Sequence, residues 1–402
     1  MKWYPNYVPE INQVLSQIFE KNKQADKTIQ SLLKKQRKWG SRDRKFVAKV
    51  LYDIVRWKNQ YEFLAQTRIE TKEGKKRILS VWSLLNEVPV PDYLYFSDLN
   101  LEKILKRKKN ISQPHINHAV PLWLYQTGVA QLGEQVWQRE LSALNTEADV
   151  VIRANTLKIS PEKLQKILKN EGIISIQNPH YPHALFIKTR HKLTGLKAYQ
   201  NGLFEIQDAS SQLVAPFTGI QSGMTLIDAC AGAGGKTLHI AALMQNKGNI
   251  LAYDIYQSKI DELKQRAKRN GVKIIKEAGV IDTQTLKNNY HKADILLIDA
   301  PCSSIGTLRR KPGLKWELSP QKIKQINVIQ KDILQTYESM LKPGGNLIYV
   351  TCSIFPEENE KMINTFLQKH KNYTFVSDTT VYPSAGTGDG FYMAKLYKQT
   401  KY

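Results

Sequence analysis

Apolar residues recur with two different periods along this chain. In the first third, Val8, Ile11, Val14, Leu15 and Ile18 are spaced three and four apart. Phe46, Val50, Leu51, Ile54 and Val55 repeat that spacing, which predicts amphipathic helices across residues 7–66. Gly40-Ser41-Arg42-Asp43 separates the two runs, with Ser41 as the expected N-cap. The charged stretch from Glu70 to Arg77 reads as a loop or helix end. The basic run Lys106-Arg107-Lys108-Lys109 follows a short helix and precedes a polar segment with Pro114. Pro121-Leu122-Trp123-Leu124 then opens a helical stretch through about Leu144.

The texture changes after that. Ala148 to Asn155 reads as a strand, and Ser160-Pro161-Glu162 starts a helix by cap and Pro-at-N1 logic, ending near Gly172. Ile173–Ile176 and Ala184–Ile187 read as further strands of a small β-α-β unit. From Gly202 onward strand and helix alternate, with strands expected at Thr225–Ala229, Asn249–Asp254, Ile274–Ile275, Asp294–Asp299 and Asn346–Thr351. Lys342-Pro343-Gly344-Gly345 reads as a turn feeding the last of these. Such alternation is the pattern of a doubly wound parallel sheet. The expected organisation is therefore a helical domain over residues 1–140, a small α+β unit over 141–200 and an α/β domain over 201–402.

Length and charge sharpen this picture. A chain of 402 residues exceeds a single core and allows two or three domains. Its net charge is +23, and residues 1–110 hold 24 Lys+Arg against 12 Asp+Glu. An excess of that size points to a polyanionic partner, with counterion release driving affinity. Three cysteines are too few for a disulfide framework and fit a reducing compartment. No apolar leader opens the chain and no run is long enough to span a bilayer, so a soluble, cytoplasmic protein is expected, with no membrane and no obligate protein partner.

All three cysteines lie just past predicted strands: Cys230 in Asp-Ala-Cys-Ala-Gly-Ala-Gly-Gly-Lys-Thr, Cys302 in Asp-Ala-Pro-Cys-Ser-Ser, and Cys352 in Val-Thr-Cys-Ser. The carboxyl edge of an open parallel sheet is where ligands bind. The glycine loop Cys230-Ala231-Gly232-Ala233-Gly234-Gly235-Lys236 is not a P-loop, because Cys230 stands where that motif needs glycine. It is not the dinucleotide motif either, because Thr237 stands at the third glycine site. Strand, glycine turn and helix remain, with Asp254 ending the next strand. Helix-start N–H groups can hold an anionic group, and a carboxylate so placed accepts from ribose hydroxyls. Together these features fit S-adenosylmethionine.

The thiols suggest what such a cofactor would serve. C5 of a cytosine or uracil ring is a poor nucleophile. A thiolate adding at C6 turns the ring into an enamine that can accept a methyl group at C5, after which a base removes the C5 proton and elimination frees the enzyme. Asp299 can hydrogen-bond the ring edge. Spacing alone leaves open whether Cys302 or Cys352 attacks. No metal is required.

The segment from Gln207-Asp208-Ala209-Ser210-Ser211 to Gly388-Asp389-Gly390-Phe391-Tyr392 resembles the Sun/Fmu and nucleolar-antigen family of RNA cytosine-5 methyltransferases, and Arg153-Ala154-Asn155-Thr156-Leu157-Lys158 extends the resemblance. The N-terminal part, with Arg42-Asp43-Arg44 and Val55-Arg56, resembles the NusB-like domain of its bacterial ribosomal (RsmB-type) members. The resemblance implies a Rossmann-like class I methyltransferase domain preceded by a NusB-like helical domain, and the small β-α-β unit between them reads as an RNA-binding module or a simple packing adaptor. It implies Cys352 as nucleophile, Cys302 in product release, Cys230 through Lys236 as the cofactor loop, Asp254 on the cofactor ribose, Asp299 as the second motif carboxylate with both a catalytic and a cofactor-binding part, and small-subunit ribosomal RNA as substrate.

Two positions depart from the family pattern: Ala233 replaces a proline, and Val280 stands where an acidic residue faces the adenine, with Asp282 two residues on. The same reaction on transfer RNA, or a ribosome-assembly factor with a vestigial catalytic domain, are the competing readings.

Overall fold

The structure is a computed structural model describing residues 2–189, 192–386 and 388–400. Two compact units form, one from Met1–Thr146 with Thr307–Lys322 and one from Glu147–Gly306 with Ile323–Tyr402.

The first unit is helical. Helices Tyr7–Phe19 and Ser41–Ala65 bury the residues that their spacing marks, including Ile11, Leu15, Val50 and Ile54. Gly40, not Ser41, is the N-cap of the second of these, and the Asp43 carboxylate accepts from the Gly40 N–H at 2.8 Å. Of the two readings of Glu70–Arg77, a loop or a helix end, the structure has the second: most of it is the N-terminal half of helix Lys72–Leu85, capped by the Thr71 hydroxyl, which accepts from Gly74 N at 2.9 Å. Its charges mask a buried stripe of Ile78, Leu79 and Trp82. The basic run 106–109 is itself the last turn of helix Leu101–Lys109, where cations favour the helix dipole. The stretch after Pro121 is two helices, Leu122–Leu132 and Glu134–Leu144, broken where Gly133 takes a positive φ of 79°.

Residues 307–322 complete this unit. Lys315 is fully buried, and its ammonium donates to Arg56 O (2.9 Å), Ala119 O (3.1 Å) and Asn145 Oδ1 (2.5 Å). The neighbouring Trp316 Nε1 donates to Val55 O at 2.7 Å. Three oxygen acceptors take the place of water around this ammonium, yet burial, with the Arg56 charge added, still pushes its pKa well below the ordinary lysine range.

The second unit holds two sheets. The smaller has strands β1 (Val150–Ala154), β2 (Ser175–Asn178), β3 (Tyr181–Ile187) and β4 (Phe204–Ile206) in the antiparallel order β2-β3-β1-β4. Helix Pro161–Asn170 packs with it, starting where the Ser160 side chain accepts from Lys163 N. The three-residue β4 has too short a period to be read locally.

The larger sheet has β5 (Thr225–Asp228), β6 (Asn249–Asp254), β7 (Ile275–Val280), β8 (Ala293–Asp299), β9 (Leu341–Thr351), β10 (Tyr373–Val381) and β11 (Phe391–Lys398). Its order is β10-β11-β9-β8-β5-β6-β7, with β5 to β9 parallel and β11 antiparallel to both β9 and β10. The five expected strands form the parallel part; the antiparallel pair at one side lies outside that expectation. Lys342–Gly345 is not a turn before β9 but an irregularity within it, where the register against β8 shifts between Ala293 and Ile295. Residues Ile295–Ile298 of β8 are all buried, as expected for a strand covered on both faces. The strand order reverses beside β5, so a crevice opens at the carboxyl ends of β5 and β8. Among the described residues, no helix is long and apolar enough to cross a membrane.

Candidate active site

The residues singled out by the sequence converge on that crevice. After β5 the chain turns through Gly232 (φ 53°) and Gly234 (φ 86°) into helix Gly235–Leu243. A side chain on Gly234 would be strained in that conformation, and its Cβ would meet Leu263 Cγ at 2.8 Å. As N-cap, Gly234 supplies no side-chain acceptor, so the first-turn N–H groups are not capped by it. Asp254, ending β6, orders the loop: Oδ2 accepts from Gly232 N (2.8 Å) and Oδ1 from Tyr256 N (3.0 Å). The adjoining Ile255 is 62% exposed, an apolar platform beside that carboxylate. Helix-start N–H groups, a ribose-type carboxylate and an apolar face together fit an adenosyl amino acid.

Val280 pairs with Asp254 across β6 and β7 and is exposed, so the chain carries an apolar residue at the expected acidic position. Asp282 caps helix Thr283–Asn288, its Oδ1 accepting from both Thr285 N and Thr285 Oγ1 at 2.7 Å. Below the loop, Asp228 is fully buried and accepts from Thr237 Oγ1 at 2.7 Å, and burial raises its pKa to about 7. Arg153 of β1 donates to Gly235 O at 3.2 Å, and Asn155 donates to Gly202 O and Asn270 O. Arg153 thus holds the start of the helix after the glycine loop, while Asn155 ties the segment to Gly202 and to the end of helix Gln257–Asn270.

The two thiols of the remaining motifs lie side by side. β8 and β9 are parallel neighbours with Asp299 opposite Val350, so their carboxyl ends finish level. The loops beyond place Cys302 Sγ 3.2 Å from Cys352 Sγ, and Cys352 N donates to Cys302 Sγ at 3.3 Å. Both cysteines are free and partly accessible. Ser304, held at φ 59°, puts its Oγ 3.2 Å from Cys352 Sγ. The pair is electrostatically asymmetric. The hydrogen bond from Cys302 lowers the Cys352 pKa against the opposing effect of burial, with Ser304 helping; the same bond, then burial, raises Cys302 well above the ordinary thiol range. The geometry therefore favours a Cys352 thiolate beside a Cys302 thiol. Cys230, by contrast, is raised well above that range, by burial first and then by the charges of Asp228, Asp299 and Asp254.

Lys236 departs from a simple loop role. Its ammonium contacts Asp299 Oδ2 at 2.5 Å and lies 5.3 Å from the Phe391 ring centre. Burial would lower its pKa, but the Asp299 charge and hydrogen bond outweigh that and raise it. Asp208 Oδ1 accepts from Ser210 N (2.9 Å) and Asp389 N (3.1 Å), joining the first and last of the motif segments. Neither Ser304 nor Glu358 stands out in the sequence; only their nearness to Cys302 and Cys352 along the chain points to them.

A glycine loop, a strand-end carboxylate and paired thiols at this switch point define a class I methyltransferase-like fold. Comparison with known proteins agrees. The family model of the 16S rRNA methyltransferase RsmB/F matches residues 219–397, and that of the RsmF/B-like ferredoxin-like domain matches residues 120–194. Ribosomal RNA small subunit methyltransferase B of Yersinia enterocolitica is 33% identical over 306 residues, covering 74% of this chain and 70% of the relative. The Salmonella paratyphi A protein of the same name is 33% identical over 270 residues, 65% of this chain, and the chain spans 63% of its length. The solved structure of PH0851 matches with a TM-score of 0.81 at 25% identity, covering 99% of this chain and all of that one. A methyltransferase homologue from Pyrococcus horikoshii matches with a TM-score of 0.62 at 26% identity, over 71% of this chain and 98% of that one. The chain belongs to the RsmB/F family of 16S rRNA methyltransferases.

Proposed function

We propose that this protein uses S-adenosylmethionine to methylate C5 of a cytosine in RNA, with small-subunit ribosomal RNA as the substrate, in the cytoplasm. The observation that carries this reading is the 3.2 Å pair of unlike thiols at the sheet edge that also bears the glycine loop. Methylation of an exocyclic nitrogen would give neither thiol a role.

Residues 230–236 and Asp254 would hold the cofactor, with the exposed Ile255 as the apolar side chain beside them. When bound, the cofactor supplies an electrophilic methyl group. The Cys352 thiolate adds to C6 of the ring, making C5 nucleophilic. Asp299, held by Lys236, accepts a hydrogen bond from the exocyclic amine of the cytosine and so fixes the ring edge. Cys302 assists loss of the C5 proton and the elimination that restores Cys352. The target base must leave its stack to reach Cys352, which favours loops and unpaired ends. The basic helical unit supplies phosphate contacts.

Bisulfite sequencing of total RNA from cells with and without the gene tests the reading. One cytosine of small-subunit ribosomal RNA is expected to lose protection when the gene is absent. Loss of protection only in transfer RNA would reassign the substrate, and no change anywhere would remove the activity.

A further inference from the structure

Behind the two thiols lies a buried carboxylate that the chemistry above does not use. Glu358 ends a short 3-10 turn, Pro356–Glu358, and is fully buried. It accepts from Ser303 N at 2.7 Å through Oε1, while the Ser303 and Ser353 hydroxyls both donate to its Oε2 at 2.5 Å. Ser303 follows Cys302 and Ser353 follows Cys352, so one side chain bonds both cysteine loops next to their reactive residues. The turn is itself fixed. Tyr349 of β9 donates from its hydroxyl to Glu358 O at 2.8 Å, and Asn359 links Thr351 Oγ1 (2.6 Å) to Ser353 O (3.1 Å). Gln330 Nε2 holds Pro301 O at 3.0 Å on the far side of the Cys302 loop.

A carboxylate is a costly way to fill buried space, since removing its charge from water is offset only by well-aligned donors. Three donors from two loops are an arrangement that orients rather than merely fills. We propose that Glu358 is a positioning residue for the reaction. Its carboxylate clamps the two cysteine loops together and sets the sulfur-to-sulfur distance that lets Cys302 serve an adduct carried on Cys352. The role in catalysis rests on the methyltransferase reading; the clamp does not.

Dibromobimane, a bifunctional alkylator that becomes fluorescent when both arms have reacted, reads this geometry without any turnover. The wild-type protein is expected to become fluorescent through a Cys302–Cys352 bridge, located by peptide mass spectrometry. Glu358→Ala should lose most of that bridge while each thiol still takes up iodoacetamide. With RNA substrate, Glu358→Ala should lower kcat by about 100-fold, the scale expected for a misplacement of about 1 Å, and leave KM for S-adenosylmethionine unchanged. Glu358→Gln, which keeps an acceptor oxygen at the same reach, should recover most of both signals.

Should Glu358→Ala fail to fold by circular dichroism, Ser303→Ala and Ser353→Ala each remove one donor and are expected to lower the bridge yield separately. Bridging at the wild-type rate in a folded Glu358→Ala protein, or in both serine variants, overturns the clamp. Bridging that depends on Glu358 in a protein that methylates no RNA supports the clamp and sinks the activity.

Discussion

Cys302 and Cys352 are fifty residues apart in the chain, yet their sulfur atoms are 3.2 Å apart and share one hydrogen bond. That bond separates their roles. Whichever sulfur donates is held as a thiol, and whichever accepts is favoured as a thiolate. That bond, with Ser304 and the Lys236 charge behind it, lowers Cys352, whereas the same bond, burial and the Glu358 charge raise Cys302.

Thiol reactivity follows directly. In a pH series with iodoacetamide, Cys352 is expected to be alkylated at lower pH than Cys302 or Cys230, as read by peptide mass spectrometry. Cys352→Ala should in turn ease ionisation of Cys302, because its donated hydrogen bond is gone. Labelling of Cys302 ahead of Cys352 in the wild type would reverse the assignment.

Cys352→Ala is expected to abolish both turnover and the covalent complex with RNA carrying 5-fluorocytosine. A variant that still forms the complex moves the nucleophile to Cys302.

Cys302→Ala should accumulate a covalent protein–RNA adduct, seen as an RNase-sensitive shifted band on a denaturing gel. Abolished methylation with no trapped band leaves Cys302 a packing role only.

Asp254→Ala should weaken S-adenosylmethionine binding about tenfold or more by calorimetry, since charge-assisted hydrogen bonds contribute roughly 1.5–3 kcal/mol each. Part of that effect comes through the loop, because Asp254 also anchors Gly232 N and Tyr256 N. Unchanged affinity would remove Asp254 from the ribose.

RNA affinity should fall linearly with salt on logarithmic axes, with a slope near −0.7 to −0.9 for each phosphate neutralised. Replacing Lys106, Lys108 and Lys109 with alanine should flatten that slope by roughly that amount for every phosphate these lysines neutralise. Arg107 is left in place because its Nη1 donates to Leu64 O at 2.8 Å. Deleting residues 1–110 is a poorer test, since Arg56 and Val55 hold Lys315 and Trp316. An unchanged slope would make the basic run a solvated helix end.

What the chain declares locally, it declares well. Helical spacing locates Tyr7–Phe19 and Ser41–Ala65, because burial on one face imposes a period that neighbouring residues carry by themselves, and the unbroken Leu-Ile before the glycines locates β5, an interior strand whose successive residues are buried. The three cysteines, the glycine loop and Asp254 are legible as strand-end features for the same reason.

Tertiary structure decided the rest. The pairing of Cys302 with Cys352, of Lys236 with Asp299 and of Glu358 with Ser303 depends on which strands become neighbours, and no local period encodes that. Helix Lys72–Leu85 hides behind its charged first turn, and β10 and β11 join the sheet as an antiparallel pair outside the strand–helix alternation. Residues 307–322 lie between two stretches of the α/β unit in sequence but pack in the helical one, where Trp316 joins the helical core and Lys315 meets its three acceptors.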